Sequence, residues 1–142
     1  MRINPNRAGV AVTTFLILLT CAAAAVAQQP KSLVASASGE GTIQFGKEEF
    51  KVYAVVVKCF EDGKTEINLV SDITVFISGT WSRANETGKT IDVKITGGSV
   101  SGNLDGGGKI QLTEDRKSIA GLSLQVVNKT TKKVIKADFT AK

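Results

Sequence analysis

Catalysis needs proton carriers, nucleophiles or metal ligands brought together, and this chain is short of all three. It contains no histidine. That removes the commonest general base, the usual zinc ligand and the side chain that titrates near neutrality. Its only cysteines are Cys21 and Cys59. The serines and lysines show no spacing of a nucleophile with its base. Carboxylates remain: Glu48-Glu49, Glu61-Asp62 and Glu114-Asp115 in pairs, Asp72 and Asp92 singly. Two carboxylates across a cleft are the minimum for glycoside hydrolysis. Each pair falls in a stretch that reads as a turn, where solvated charge is the ordinary explanation. The chain reads as a non-enzyme, with a carboxylate-based glycosidase as the competing catalytic reading. No cofactor and no transition-metal site is expected, while calcium, which takes oxygen ligands, stays open.

The glycine-rich stretch Gly102–Lys109 invites comparison with a phosphate-binding loop and fails it. Asn103 stands where the first glycine belongs, and Ile110 stands where Ser or Thr would hold magnesium. The residues that follow alternate like a strand, whereas a phosphate loop opens a helix. The stretch reads as a hairpin turn at Asp105–Gly108.

Binding residues are easier to nominate. Tyr53 and Trp81 are the sole Tyr and Trp, and an exposed flat ring on a sheet stacks on a sugar face. Trp81 shares the parity of an aliphatic row and reads as core. Tyr53 shares its side with Lys51 and reads as the exposed ring. Lys129, Lys132, Lys133 and Lys136 make the C-terminal hairpin basic. Edge protection accounts for such lysines, and an anionic envelope component is the functional alternative. Asn85-Glu86-Thr87 and Asn128-Lys129-Thr130 fit the N-glycosylation pattern, at places where Asn is common in any case.

The elements that would position these residues begin after an export signal. Arg2 and Arg7 precede an apolar run from Ala8 to Val26, and Ala25-Val26-Ala27 ends it in a small-x-small cleavage pattern. Residues 1–27 are expected to be removed. Two alternatives compete: a lipoprotein box ending at Cys21, and an uncleaved anchor, since the run approaches the ~18–20 residues that span a bilayer. Cleavage predicts a secreted or periplasmic protein. It removes two basic residues from the 18 that face 13 acids, which leaves a mild positive charge spread along the chain and no nucleic-acid footprint. Only Cys59 then remains, so no disulfide forms within the chain. It sits in an apolar run and reads as a buried thiol, with a dimer bridge as the alternative.

Residues 28–32 read as a polar leader. From 33 to 142, strand-like runs alternate with turn signals every dozen residues or so, the pattern of a sandwich or barrel. Leu33–Phe45 bends at Gly39 and Gly41. Phe50–Phe60 is apolar on both parities and reads as a central strand covered on both sides. Asp62-Gly63 is the strongest hairpin signal. Thr65–Val70 and Ile73–Trp81 follow, or one long bent strand over 65–81, because Ile67, Leu69, Ile73, Val75, Ile77 and Trp81 keep one parity. Thr90–Thr96 alternates strictly. Val100–Leu104, Lys109–Thr113, Ser118–Val127 and Lys133–Lys142 complete the set. No window outside the signal has helical periodicity. The expected fold is all-β: a single antiparallel β-barrel or β-sandwich of about eight to nine strands.

Gly79-Thr80-Trp81 resembles the Gly-x-Trp element of lipocalins and avidin-like barrels. There it belongs to the first strand and here it falls mid-chain, so no residue role transfers. Ser38-Gly39-Glu40-Gly41-Thr42-Ile43, followed by a Phe-rich strand and an Asp-Gly turn, resembles small exported bacterial β-rich proteins. That resemblance implies an exported β fold and no site residues.

The resulting expectation is a non-catalytic envelope or extracellular module, binding or structural. It would engage a polysaccharide, an anionic envelope component or a protein, without nucleic acid and without a membrane span in the mature chain. A barrel carrying a small apolar ligand is the alternative. Oligomeric state is not readable from the sequence.

Overall fold

The computed structural model describes residues 32–83, 88–99 and 102–142. The export segment, the leader up to Lys31, the Asn85 sequon and Val100 lie outside the described residues. Eight strands follow one another: β1 (Leu33–Phe45), β2 (Glu48–Cys59), β3 (Lys64–Ser71), β4 (Val75–Arg83), β5 (Thr90–Gly98), β6 (Leu104–Leu112), β7 (Ile119–Asn128) and β8 (Val134–Ala141). Each pairs antiparallel with the next. β8 returns to β1, with Ile43 opposite Ala137 and Gly41 opposite Phe139, and closes a barrel. Of the two all-β architectures expected, the chain adopts the barrel.

Alternation dictates which side chains go inside. In β5, Ile91, Val93 and Ile95 are buried, while Asp92, Lys94 and Thr96 stand between them on the outer wall. The same rule sends Ile67 and Leu69 of β3, Leu122, Leu124 and Val126 of β7, and Ile135, Ala137 and Phe139 of β8 into the core. A barrel of eight strands is just wide enough for such side chains to fill it. A cavity between Val75, Ile77, Ile95, Leu124, Val126 and Ile135 holds about 10 Å³, room for about one water. Two buried polar groups are satisfied locally. The Thr65 hydroxyl donates to the Lys58 carbonyl at 2.9 Å. The Asn128 side-chain oxygen accepts the amides of Thr130 and Thr131 at 3.0 and 3.1 Å and shapes the β7–β8 turn.

Five expectations are corrected. Phe50–Phe60 is not covered on both faces. Phe50 and Val52 point inward at its start and Val55, Val57 and Cys59 at its end, because the inward parity switches between Val52 and Ala54. A strand with one buried face and a parity switch looks apolar on both parities. Residues 65–81 form a hairpin, β3 and β4, as the two-strand reading has it and not one bent strand, but Ile73, expected in the second strand on the inward row, is exposed in the turn. Asp105–Gly108 is strand, not turn, and among the described residues of the expected strand Val100–Leu104 only Leu104 is strand, Gly102 and Asn103 forming a bend before β6. Gly106 opposes Val126, and Gly108 opposes Leu124 and Val93, so both face the interior. A Cβ on Gly107 would lie 1.9 Å from the Val93 carbonyl oxygen, so these glycines serve close strand approach. Glu48 and Glu49 open β2 and are not in the turn, which is Gly46-Lys47.

Candidate functional site

Tyr53 sits where β2 loses its regular pairing. On one side β1 places two residues, Gly39 and Glu40, opposite this one residue, because the register shifts between Ser38 and Gly41. On the other side Val52 pairs with Ser71 and Ala54 with Val70, which leaves Tyr53 as the extra residue against β3. Such bulges re-aim a side chain away from the ladder. The Tyr53 ring is 47% exposed on the outer wall, and its hydroxyl donates to Asp72 Oδ1 at 3.4 Å.

Beside the ring runs an open groove of about 580 Å³, lined by Gly39, Glu40, Gly41, Thr42, Lys51, Tyr53 and the terminal Lys142. Its floor is backbone, because β1 is pressed against β8 there. A Cβ on Gly41 would come within 2.1 Å of the Asp138 carbonyl oxygen, so no side chain is accommodated. Glu40 and Lys142 form an ion pair at 2.5 Å across the rim. The lysine holds the Glu40 carboxyl below its ordinary range, by hydrogen bond first and by charge second. The groove thus combines an aromatic face, a backbone floor and charged groups of both signs.

Comparison with known proteins finds no matching family model, curated protein or solved structure.

The other nominated residues lie elsewhere. Trp81 is inside the barrel, 7% exposed, and its indole N–H donates to the Phe60 carbonyl at 2.8 Å. Its ring offers no face to solvent. The C-terminal lysines are exposed around the β7–β8 turn, outside the Tyr53 groove. Lys129 reaches Asp105 at 3.7 Å and Lys136 reaches Asp138 at 3.8 Å. Lys132 adopts a positive φ of 61° in the turn. The acids are dispersed. Asp92 pairs with Lys109 at 2.7 Å, Glu49 accepts from Gln44 at 2.7 Å, Glu114 pairs with Lys89, and Asp115 accepts from Thr113 at 2.6 Å. Among the described residues no group of three His, Cys, Asp or Glu is placed to hold a metal ion. Cys59 is buried, and burial pushes its thiol above the ordinary range against a smaller opposing effect of Thr65.

A second groove, of about 520 Å³, was missed. It runs over β3, β4 and β5 beside Phe60, with Lys64, Glu66, Ser78, Gly79 and Thr80 along it. Phe60 is 40% exposed. The signal was present: Phe60 immediately precedes the Glu61-Asp62-Gly63 turn, so it lies beyond the last ladder residue of β2.

Proposed function

We propose that this chain is an exported, non-catalytic binding module that takes a polysaccharide on its outer wall, with the Tyr53 groove as its site. The observation that carries this reading is the Tyr53 ring, held out from the ladder by an irregularity on both sides and set beside a glycine floor. The filled interior supports a surface site over the carrier alternative, because a pocket for a small ligand takes some hundreds of Å³ and the interior cavity holds about 10 Å³. The separate engagement of Asp92, Glu49, Glu114 and Asp115 gives no support to a glycosidase, which needs two facing carboxylates. Charged outward residues such as Lys58, Glu66, Lys94 and Lys109 suit a wall that faces water, since a lipid-facing wall carries an apolar band.

The test is titration of the mature chain with soluble polysaccharides. Binding is expected, with Tyr53→Phe retaining most of the affinity and Tyr53→Ala losing at least about tenfold, which is about 1.4 kcal/mol. Full affinity in Tyr53→Ala overturns the site. Export is tested by sequencing the N-terminus of the protein recovered outside the cytoplasm. A start at Gln28 is expected, and a lipidated Cys21 at the N-terminus would replace it with the anchored alternative.

A further inference from the structure

The two grooves share one wall of the barrel. Tyr53 lies within β2 and Phe60 immediately after its last residue, seven positions apart, which spans about 23 Å of extended chain. Between them the outward residues of β2 and its partner β3 are Ala54 with Val70, Val56 with Asn68, and Lys58 with Glu66. Glu66 already lines the Phe60 groove. The outward rows of β2 and β3 therefore lie between the Tyr53 groove on the β1 side and the Phe60 groove.

Charge along this path cancels once Lys58, between the rings, and Asp72, the partner of the Tyr53 hydroxyl, are counted with the grooves: four lysines, Lys51, Lys58, Lys64 and Lys142, face four acids, Glu40, Asp62, Glu66 and Asp72. The Tyr53 groove carries Lys51 and Lys142 against Glu40, and Lys142 is paired to Glu40. The Phe60 groove carries Lys64 against Asp62 and Glu66, and Lys64 lies 3.7 Å from Asp62. The first groove is net positive and the second net negative, so a polyanion welcomed at Tyr53 is repelled at Phe60. The basic β7–β8 turn lies off this path.

We propose that the two grooves act as one extended site for a linear, uncharged polysaccharide, with Tyr53 and Phe60 as stacking platforms at its two ends. This rests on the polysaccharide reading of Tyr53 and adds the class and length of the ligand. A chain long enough to reach both rings binds each groove at high effective concentration once the other is filled, and a disaccharide reaches only one. The molecule carries its own reporter. Trp81, the sole tryptophan, hydrogen-bonds the Phe60 carbonyl from inside the barrel, so a shift in its fluorescence is the expected sign that the Phe60 groove is occupied.

The experiment uses the mature chain with neutral β-glucans, mannans and xylans, each as a disaccharide and as a chain longer than about 23 Å, read by calorimetry and Trp81 fluorescence. Polygalacturonate serves as the anionic counterpart. Long neutral chains are expected to bind at least about a hundredfold tighter than disaccharides and to shift the fluorescence. Phe60→Ala and Phe60→Leu, the latter keeping apolar bulk without a ring, should lower long-chain affinity to near the disaccharide level. Unchanged long-chain affinity in both Phe60 variants, with Tyr53→Ala still defective, overturns the extended site and leaves the Tyr53 site standing. Tighter binding of polygalacturonate than of every neutral chain overturns the ligand class. Absence of binding to any polysaccharide overturns both readings.

Discussion

At the residue scale, the two unique aromatic side chains do opposite work although both lie on strands. Trp81 alternates in step with Ile77 and Val75 and enters the core. Its N–H keeps a partner there, as a buried indole requires. Trp81→Ala is expected to cost about 3–5 kcal/mol by the cavity it leaves, measured as a lowered urea midpoint. Tyr53→Ala should stay within about 1 kcal/mol of the parent, because its ring contributes little to the core. Cys59 supplies a pH dependence. Its thiol is buried and its ionisation is pushed up in the folded protein. The stability held by the neutral thiol is full below the thiol's pKa in the unfolded chain, near about 8.5. It is lost as pH rises from there toward the folded pKa, because only the unfolded state then releases the proton. Cys59→Ala should flatten the alkaline limb of a stability profile measured by denaturant titration. An unchanged limb would assign the slope to other groups.

At the element scale, glycine and turn chemistry decide how the strands meet. Gly63 sits at φ 87° in the β2–β3 turn, where the Phe60 amide donates to the Lys64 carbonyl at 2.8 Å and Asp62 Oδ1 accepts the Lys64 amide at 3.0 Å. That turn was legible because Asp-Gly has few other uses between apolar runs. Gly106–Gly108 was not legible. Three consecutive glycines satisfy a turn and a tightly squeezed strand equally well, and only the neighbouring backbones distinguish them. Gly107→Val should cost more than about 3 kcal/mol, since its Cβ would collide with the Val93 carbonyl. A folded Gly107→Val variant with the parent midpoint would show that β5 and β6 can separate there. The β7–β8 turn carries a converse opportunity. Lys132 holds a left-handed conformation that a side chain disfavours by about 1–2 kcal/mol. Lys132→Gly is therefore expected to raise the urea midpoint, by somewhat less than that amount because glycine adds freedom to the unfolded chain.

At the scale of the whole molecule, closure is what holds the two ends of the chain together. β1 is the partner of both β2 and β8, and removing β8 would expose one edge of β1 and one of β7. A chain ending at Asn128 is expected to lose its cooperative unfolding transition and to self-associate, because open strand edges template pairing; light scattering beside circular dichroism reads both. Local pattern alone determined much here: an all-β chain, most turn positions, the inward rows of β3, β5, β7 and β8, a buried Trp81 and an exposed Tyr53. These follow from side-chain period and turn chemistry, which act over a few residues. Tertiary structure alone decided three things. It chose barrel over sandwich, because closure depends on the register between the first and last strands, which neither strand encodes by itself. It placed the parity switch in β2, because a bulge exists only relative to its partners, Gly39 and Glu40 on one side and Val70 and Ser71 on the other. And it made the groove beside Tyr53, because its backbone floor forms only when β1 and β8, from the two ends of the chain, are pressed together.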